Sequence, residues 1–250
     1  MNLNVVIPMA GLGSRFAEEG YSMPKPFIDV DGLPMIVRVL ENLYLPHANY
    51  ILIARSEHLE NHPEIVKVIA ARFPNIQFVS LDKLTEGTAC TILFARQFIN
   101  NEAPLLIANS DQLIDMNIRD YIEDASNRDL DGSILCFQDS ECNPKWSFAQ
   151  LGDGDLVVQV KEKEAISDLA TVGIYYFSRG FDFVNSAIDM IIHNDRVNNE
   201  FYTCPTYNYA IKSGKRIGIF MINAIQMHGI GTPADLKKYL NSNRFDTSKS

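Results

Sequence analysis

The chain of 250 residues is long enough for one large α/β domain or for two small domains. Its composition, with 46% hydrophobic and 10% aromatic residues, excludes a disordered, collagen-like or coiled-coil protein, because such content can fill a packed core. The 22 basic and 31 acidic residues give a formal charge of −9, which argues against a sequence-independent nucleic-acid binder. A small phosphorylated ligand in a locally basic pocket stays compatible with this charge.

In the first half of the chain, short apolar runs alternate with helical segments. Strands are predicted at 5–7, 50–54, 76–81 and 104–108; the first is expected to be buried on both faces, and the last is also fully apolar. Helices are predicted at 33–43, 64–73 and 87–99. Because strands that alternate with helices favour right-handed crossovers, this half predicts a parallel sheet.

In the second half, strands lie closer together. They are predicted at 133–137, 147–151, 156–162, 171–177 and 216–222, with a hairpin turn at 152–155. Helices are predicted at 181–193, at 207–213 and after Thr232-Pro233, where threonine is an N-cap and proline the first helical residue. We therefore expect a single domain over 1–241, with halves of about 1–130 and 131–241 and an inserted β-rich lobe, followed by a polar tail at 242–250.

The cysteines and the first residues bear on the cellular compartment. Cys90, Cys136, Cys142 and Cys204 lie far apart and form no C-x-x-C pair, so we expect reduced thiols. Residues 1–4 lack a basic segment, and the apolar run at 5–10 is too short for a signal-peptide core or a membrane span. The sequence predicts a cytoplasmic protein with no membrane or nucleic-acid partner, and it leaves the oligomeric state unknown.

The most informative segment follows the first strand, where P-M-A-G-L-G-S-R at 8–15 leads to P-K-P at 24–26. Ligands of open α/β sheets bind at the carboxyl ends of the strands. Gly11 and Gly13 allow backbone N–H groups to approach a phosphate closely, since no Cβ intervenes. Arg15 and Lys25 add two cations to the same place. This segment is neither a dinucleotide fingerprint, since Phe16 replaces the last glycine, nor a P-loop.

The segment resembles the signature of the sugar nucleotidyltransferases, in which a strand is followed by G-x-G-S/T-R and, after eight residues, by P-K-P. Further segments are similar to the same family: T-E-G-T-A at 85–89, S-D at 110–111, V-K-E-K at 160–163, T-V-G-I-Y at 171–175 and G-T-P at 231–233. The resemblance implies a Rossmann-like, mixed but mainly parallel sheet flanked by helices, of the nucleotide-diphospho-sugar transferase type. The two halves then become a nucleotide half and an acceptor half.

The family's reaction implies roles for individual residues. Arg15 and Lys25 would be catalytic, Arg15 neutralising the departing pyrophosphate and Lys25 gripping the α-phosphate of a nucleoside triphosphate. Asp111 would hold Mg²⁺ through one carboxylate and nucleotide oxygens. Nucleotide-binding residues implied by the resemblance are Met9, Ala10, Gly11, Gly13, Glu86, Gly87, Thr88 and Asn109. Residues implied for the phosphorylated acceptor are Glu162, Lys163, Gly173, Glu200 and Tyr202.

One departure from the family concerns the metal site. The usual W-x-D-x-G-T reads M-H-G-I-G-T at 227–232, so Gly229 stands where the family has a second metal aspartate. Asp235 is a candidate substitute, although its place in the first turn of the last helix suits helix-dipole stabilisation better. His58 and His62 have the spacing of two metal ligands on a helix but no third ligand, so a surface loop is predicted there.

The resemblance implies a nucleotidyltransferase for capsule or other surface polysaccharide synthesis. The short chain and Gly229 resemble compact capsule-locus members, some of which use CTP and a non-sugar acceptor such as phosphocholine or a phosphorylated amino-acid amide. Sugar-1-phosphate uridylyl-, thymidylyl- or guanylyltransferases are the alternative. A glycosyltransferase or a non-catalytic nucleotide-binding protein is an alternative of another class. Trp146 and the aromatic residues at 175–177 are expected in the core, unless one packs against the acceptor.

Overall fold

The computed structural model describes residues 3–246, with side chains described up to residue 242. The strands are β1 (Asn4–Pro8), β2 (Asp29–Val30), β3 (Leu33–Pro34), β4 (Asn49–Arg55), β5 (Ile76–Leu81), β6 (Leu105–Ala108), β7 (Gln112–Ile114), β8 (Gly132–Gln138), β9 (Ser147–Leu151), β10 (Val157–Glu162), β11 (Leu169–Phe177), β12 (Ile217–Ile222) and β13 (Met227–Gly229). The helices are α1 (Ser14–Glu18), α2 (Met35–Asn42), α3 (Ser56–Asn61), α4 (Pro63–Arg72), α5 (Thr88–Leu93), α6 (Arg96–Ile99), α7 (Ile118–Asn127), α8 (Gly180–Ile192), α9 (Thr206–Lys212) and α10 (Pro233–Asp246).

A mixed central sheet flanked by helices organises the protein, as the sequence predicted. The strand order is β10-β9-β11-β6-β1-β4-β5, and β8 joins it by pairing with both β11 and β12. The strands that the first half of the chain contributes to this sheet are parallel: β1 pairs with β4 and β6, and β4 pairs with β5. The acceptor half adds antiparallel pairs around β11, so β9 and β10 form the expected β-rich extension.

Both faces of the parallel sheet are covered at its central strands, which explains the continuous apolar runs of β1 and β6. In β1, Val5 and Ile7 join one hydrophobic cluster, and Val6 joins the cluster on the opposite face. This alternation follows from the twofold side-chain period of a strand. The sheet is therefore the centre of the core, and its carboxyl edge is left for loops.

Several predicted boundaries are wrong. The helix expected at 33–43 begins only at Met35, because Leu33–Pro34 pairs with Asp29–Val30 across Asp31 and Gly32, both of which have positive φ. An Asp-Gly pair is a strong hairpin signal. The helix expected at 87–99 is interrupted after Leu93, where Phe94 and Ala95 donate to carbonyls three residues back.

The regions around the paired histidines and the C-terminus also differ from expectation. His58 lies in α3 rather than in a loop, and the rings of His58 and His62 pack edge-on against Phe27. The backbone of α10 extends through part of the expected polar tail, to Asp246. Residues 247–250 of that tail lie outside the described residues.

Candidate active site

The glycine turn is built by the end of β1. The Met9 N–H donates to the Ile53 carbonyl, which extends β1 to the edge of the sheet, and Gly11 to Gly13 then turn into α1. Gly13 has a φ of 63°, and a Cβ there would lie 2.8 Å from the Cβ of Lys25. Only glycine lets the turn adopt this backbone and pack on Lys25.

Lys25 and Asp111 meet in the site and form a direct ion pair. Lys25 begins a short 3₁₀ turn over 25–27, and Asp111 lies in the turn between β6 and β7. Their side chains are 20% and 22% exposed, so both open onto a cavity while most of their surface is covered. Gly231 backs the carboxylate, since a Cβ at that position would overlap Asp111.

The segment that follows β5 packs closely against the chain around Phe201. Gly87 has a φ of 119°, and a Cβ there would overlap the backbone of Phe201. Two backbone hydrogen bonds fasten this close approach, from the Phe201 N–H to the Glu86 carbonyl at 2.7 Å and from the Ala89 N–H to the Phe201 carbonyl at 2.9 Å. The contact therefore ties the nucleotide half to the segment that carries Glu200 and Tyr202.

A cavity of about 510 Å³ lies between the glycine turn, the Lys25–Asp111 pair and the segment around Gly87, at the carboxyl edge of the parallel strands. The predicted site residues that line it are Met9, Ala10, Gly11, Gly13, Lys25, Gly87, Thr88, Asn109, Asp111 and Glu200. The structure thus brings most of the predicted nucleotide-binding residues to one place. Leu12 and Leu84 add apolar side chains to the same cavity, and both are largely exposed.

Two predicted residues lie elsewhere. Arg15 is exposed in the first turn of α1 and is not among the residues that line the cavity. The Glu86 carboxylate pairs with Arg196 at 2.6 Å and borders a separate groove with Phe94 and Phe201. Glu86 is therefore not among the residues that line the cavity, although its neighbours Thr85 and Gly87 are.

A second cavity of about 260 Å³ lies on the acceptor half. Thr88 and Asn109 line both cavities, so the two adjoin. The predicted acceptor residues that line the second cavity are Glu162, Lys163, Gly173 and Tyr202. Glu200, by contrast, lines the first cavity.

The end of the β9–β10 hairpin supplies the charged groups of the second cavity. Ser147 pairs with Glu162 in the strand register, and its hydroxyl donates to the Glu162 carboxylate. Burial raises the pKa of Glu162 above its usual range, an effect opposed by the Ser147 hydrogen bond and by the charge of Lys163. The Lys163 ammonium donates to the Tyr202 hydroxyl at 2.6 Å.

Gly173 allows polar amides to pack against β11 at the floor of the second cavity. Its φ is 90°, and a Cβ would overlap the Asn109 side chain and approach the Gln112 Oε1 atom at 2.6 Å. The Asn109 N–H also donates to the Gly173 carbonyl at 3.0 Å. The pairing register between β11 and β8 shifts in this part of β11, between Thr171 and Tyr175.

Sequence reasoning missed several residues of the second cavity. Gln112, directly after Asp111, lines the cavity, and its Oε1 atom is buried without a hydrogen-bond partner among the described residues. Lys145 and Trp146 also line it, although Trp146 was expected mainly in the core. Trp146 lies beside Lys163 across the hairpin, since the Lys163 N–H donates to the Trp146 carbonyl at 3.0 Å. The predicted hairpin already placed Trp146 close to the V-K-E-K segment. This proximity was the sequence signal that could have identified Trp146 as a residue of the site.

Asp235 has a structural role in this fold. The Thr232 hydroxyl accepts from the Asp235 N–H at 3.1 Å and donates to the Asp235 carboxylate at 2.7 Å, which caps α10 as the sequence suggested. The described residues hold no group of three His, Cys, Asp or Glu side chains arranged for a metal ion. The described helices also include none that is long and apolar enough to cross a membrane.

Known proteins resemble this chain in sequence. The family model described as "Nucleotidyl transferase" matches residues 4–229. The catalytic subunit beta of mannose-1-phosphate guanylyltransferase from Danio rerio is 22% identical over 179 residues, which cover 70% of this chain and 50% of that protein. The bifunctional protein GlmU from Methanococcus aeolicus is 23% identical, covering 74% of this chain and 42% of that protein. The chain thus spans about half the length of the curated relatives it matches.

Solved structures resemble the whole fold. A nucleoside-diphosphate-sugar pyrophosphorylase from Vibrio cholerae has a TM-score of 0.80 and 25% identity, covering 95% of this chain and 99% of that one. An inositol-1-phosphate CTP transferase from T. maritima has a TM-score of 0.73 and 14% identity, covering 95% and 93%. The second likeness concerns the fold alone. With the sequence match over 4–229, these findings show that the chain belongs to the nucleotidyl transferase family.

Proposed function

We propose that the protein joins a nucleoside triphosphate to a phosphorylated acceptor and releases pyrophosphate. The observation that carries the proposal is the meeting of two cavities at Thr88 and Asn109. One cavity is lined by the glycine turn, Lys25 and Asp111, and the other by Lys163, Glu162 and Tyr202. An acceptor phosphate in the second cavity can therefore reach a nucleotide phosphate in the first.

The reaction needs positioning and charge neutralisation more than covalent assistance. An acceptor phosphate oxygen forms a bond to the α-phosphorus, and the bond from that phosphorus to the bridging oxygen of the β-phosphate breaks. The backbone N–H groups of the glycine turn hold phosphate oxygens, since no Cβ blocks their approach. Lys25 stabilises charge that develops on the α-phosphate.

Mg²⁺ is the proposed metal, and Asp111 is the residue that would hold it. A single carboxylate fits an ion that usually keeps several waters and binds through nucleotide phosphates. When bound, the ion would neutralise phosphate charge. Gly229 adds no carboxylate, and the Lys25 ammonium contacts the Asp111 carboxylate. A single carboxylate therefore suits an Mg²⁺ ion that enters the site already bound to the phosphates of the nucleotide.

On the acceptor side, we propose that Lys163 binds the phosphate and that Glu162 and Tyr202 bind polar groups of the remaining molecule. Glu162 is mostly buried, so it serves a ligand inside the cavity rather than solvent. Gly173 lets the side chains of Asn109 and Gln112 pack against β11 at the floor of the acceptor cavity. Glu200, on the nucleotide side of the junction, would contact the reacting end of either substrate. Arg15 would turn inward to meet the departing pyrophosphate.

The finer proposal is a CTP-dependent enzyme that acts on a non-sugar phosphate for capsule or other surface polysaccharide synthesis. A small second cavity that combines aromatic side chains, Trp146 and Tyr202, with the acid Glu162 supports a cationic or amide-bearing acceptor such as phosphocholine or a phosphorylated amino-acid amide. Sugar-1-phosphate uridylyl-, thymidylyl- or guanylyltransfer is the second candidate. It is supported by the sequence similarity to relatives such as the catalytic subunit beta of mannose-1-phosphate guanylyltransferase.

Two other classes are less well supported. A glycosyltransferase with the same kind of sheet would carry an Asp-x-Asp metal motif, whereas Asp111 is followed by Gln112 and Leu113. A non-catalytic nucleotide-binding protein would be consistent with Gly229 in place of a second aspartate. The cytoplasmic location stays a prediction.

The test is a pyrophosphate-release assay with CTP, UTP, dTTP and GTP, each combined with phosphocholine, a phosphorylated amino-acid amide and hexose 1-phosphates. We expect release with CTP and a non-sugar acceptor. Release with UTP, dTTP or GTP and a hexose 1-phosphate, but none with CTP, would move the assignment to the second candidate. No release with any pair, together with tight nucleotide binding, would favour the non-catalytic alternative.

A further inference from the structure

Two lysines stand at the open end of the β9–β10 hairpin, opposite its turn. Ser147 and Glu162 form the last pair of the ladder, and the Lys163 N–H donates to the Trp146 carbonyl one residue further out. Lys145 precedes Trp146 on the other arm. The hairpin therefore carries Lys145 and Lys163 on neighbouring chain segments, and both line the acceptor cavity.

Neutral groups rather than carboxylates hold the two ammonium groups. Lys163 donates to the Tyr202 hydroxyl, and the Lys145 Nζ atom lies 4.5 Å from the ring centroid of Trp146. Trp146 is itself fixed by an edge-on contact with Phe137, with ring centroids 5.4 Å apart. A cation over an indole face is held with modest energy, so an anion can draw it away.

Lys161, two residues before Lys163, makes the contrast clear. Its ammonium pairs with the Glu164 carboxylate at 3.6 Å, and it lines a neighbouring groove, to which Glu162 and Lys163 also belong, but not the acceptor cavity. Lys161 therefore does not face the acceptor cavity, and its charge is already partnered. The cavity draws its positive charge from the other two lysines of the hairpin.

The charge of the acceptor needs more than one cation. A phosphate monoester carries a charge of about −1.5 to −2 near neutral pH. Glu162 lies in the same cavity, so any negative charge on its carboxylate repels the phosphate. Lys163 alone would leave a substantial part of the phosphate charge without a partner.

We propose that Lys145 is a second binding residue for the acceptor phosphate and that it closes on the phosphate together with Lys163. The phosphate draws the Lys145 ammonium from the Trp146 ring to its own oxygens, while the short hairpin end keeps both cations in place. This proposal rests on the proposed function only for the identity of the second cavity as the acceptor site. Its ligand class is a phosphate monoester dianion.

Trp146 provides a direct measurement, because it is the one tryptophan of the sequence. Inorganic phosphate is the probe, titrated into the full chain at constant ionic strength while tryptophan fluorescence is recorded. We expect a saturable change in the unmodified protein. Lys145→Gln and Lys163→Gln should each raise the phosphate dissociation constant about tenfold or more, as expected for the loss of a charge-assisted hydrogen bond.

Matched variants separate this effect from others. Lys161→Gln is the control on the same hairpin and should leave the titration within about twofold of the unmodified protein. Lys145→Arg keeps the charge and should restore most of the affinity. Lys145 is exposed, so its substitution is not expected to prevent folding.

The proposal is overturned if Lys145→Gln titrates like the unmodified protein, or if the unmodified protein shows no saturable response to phosphate. With an active substrate pair, Lys145→Gln should also raise the KM for the acceptor and leave the KM for the triphosphate unchanged. If phosphate binding behaves as expected but no pair releases pyrophosphate, the proposed function fails while the assignment of Lys145 as a phosphate-binding residue stands.

Discussion

The Lys25 ammonium lies directly against the Asp111 carboxylate, although the two residues are 86 positions apart in the chain. Lys25 is positioned by the turn that Gly13 packs against, and Asp111 by the end of β6 with Gly231 behind it. The lysine thus occupies a place beside the carboxylate that a metal ion would need. We expect the phosphates of an arriving nucleotide to draw Lys25 toward themselves and leave Asp111 free for the ion.

The first prediction concerns Lys25. Lys25→Ala removes the cation that we propose stabilises the reacting phosphate, and the loss of one such group should lower turnover on the order of 10²- to 10³-fold. The measurement is steady-state pyrophosphate release with the active substrate pair. Lys67→Ala, on the exposed side of α4, is the control and should keep full activity. A Lys25→Ala protein with undiminished turnover would remove Lys25 from the reaction.

The second prediction concerns Gly87. Its φ of 119° belongs to a region that other residues avoid, and a Cβ would also overlap the Phe201 backbone. Gly87→Ala should therefore lower the free energy of unfolding by about 3 kcal/mol or more, combining backbone strain with a steric overlap. Urea denaturation measures this loss.

Gly214→Ala is the matched control for Gly87→Ala. Gly214 has a φ of 80°, but no atom lies within 4 Å of a Cβ built there. This substitution should cost only the strain of the left-handed backbone, about 1 kcal/mol. Equal losses for the two variants would show that the contact between Gly87 and Phe201 adds nothing.

The third prediction concerns Glu162, whose pKa is raised mainly by burial. Because the folded state binds this proton more tightly than the unfolded state, the protonated group favours folding at acid pH. That contribution is lost as the pH rises from the usual range of a glutamic acid through the raised pKa. Glu162→Gln should therefore raise the melting temperature at pH 7 relative to the unmodified protein, and the difference should shrink toward pH 4.

Thermal melts across that pH range test the Glu162 prediction. Glu123→Gln, on the exposed side of α7, is the control and should leave the melting temperature unchanged. The same Glu162→Gln protein should have a higher KM for the acceptor. A buried carboxylate that lowers stability is retained because it binds a ligand, so removing its charge should weaken that binding. A lower melting temperature for Glu162→Gln at pH 7 would contradict the prediction.

Sequence patterns anticipated the nucleotide side of the site better than the acceptor side. The glycine turn, Lys25 and Asp111 follow directly from strand ends, and the carboxyl ends of parallel strands meet at one edge. Lys145 and Trp146 reach the second cavity only because the β9–β10 hairpin returns on itself and packs beside β11. Such long-range packing leaves no local periodic signal.

The short pairing of β7 with β13 was also absent from the sequence interpretation. Gln112 lies opposite Gly229 in this two-stranded sheet, and 112–114 and 227–229 are each only three residues long. In segments of this length, the alternation of apolar and polar residues that indicates a strand cannot be distinguished from a loop sequence. The Asp31-Gly32 pair, by contrast, was a readable hairpin signal in the sequence. The prediction of a helix at 33–43 overlooked it.

The fourth prediction concerns Gly229. A Cβ there would meet no atom within 4 Å, and its φ is not among the positive ones, so a side chain fits without strain. Gly231, two residues beyond the end of β13, faces the Asp111 carboxylate, and Gly229 itself lies opposite Gln112, the residue next to Asp111. Gly229→Asp should therefore place a second carboxylate on the side of Asp111 and raise the affinity for Mn²⁺ in the absence of nucleotide about tenfold or more.

Electron paramagnetic resonance of free Mn²⁺ measures this affinity without requiring turnover. Gly229→Asn has nearly the same shape but no charge, so it should bind Mn²⁺ about as weakly as the unmodified protein. Combining Gly229→Asp with Asp111→Asn should abolish the gain, because two adjacent carboxylates are needed to offset the Lys25 ammonium. If Gly229→Asp and Gly229→Asn bind Mn²⁺ equally, the aspartate does not share a metal with Asp111, and position 229 lies outside the metal site of this protein.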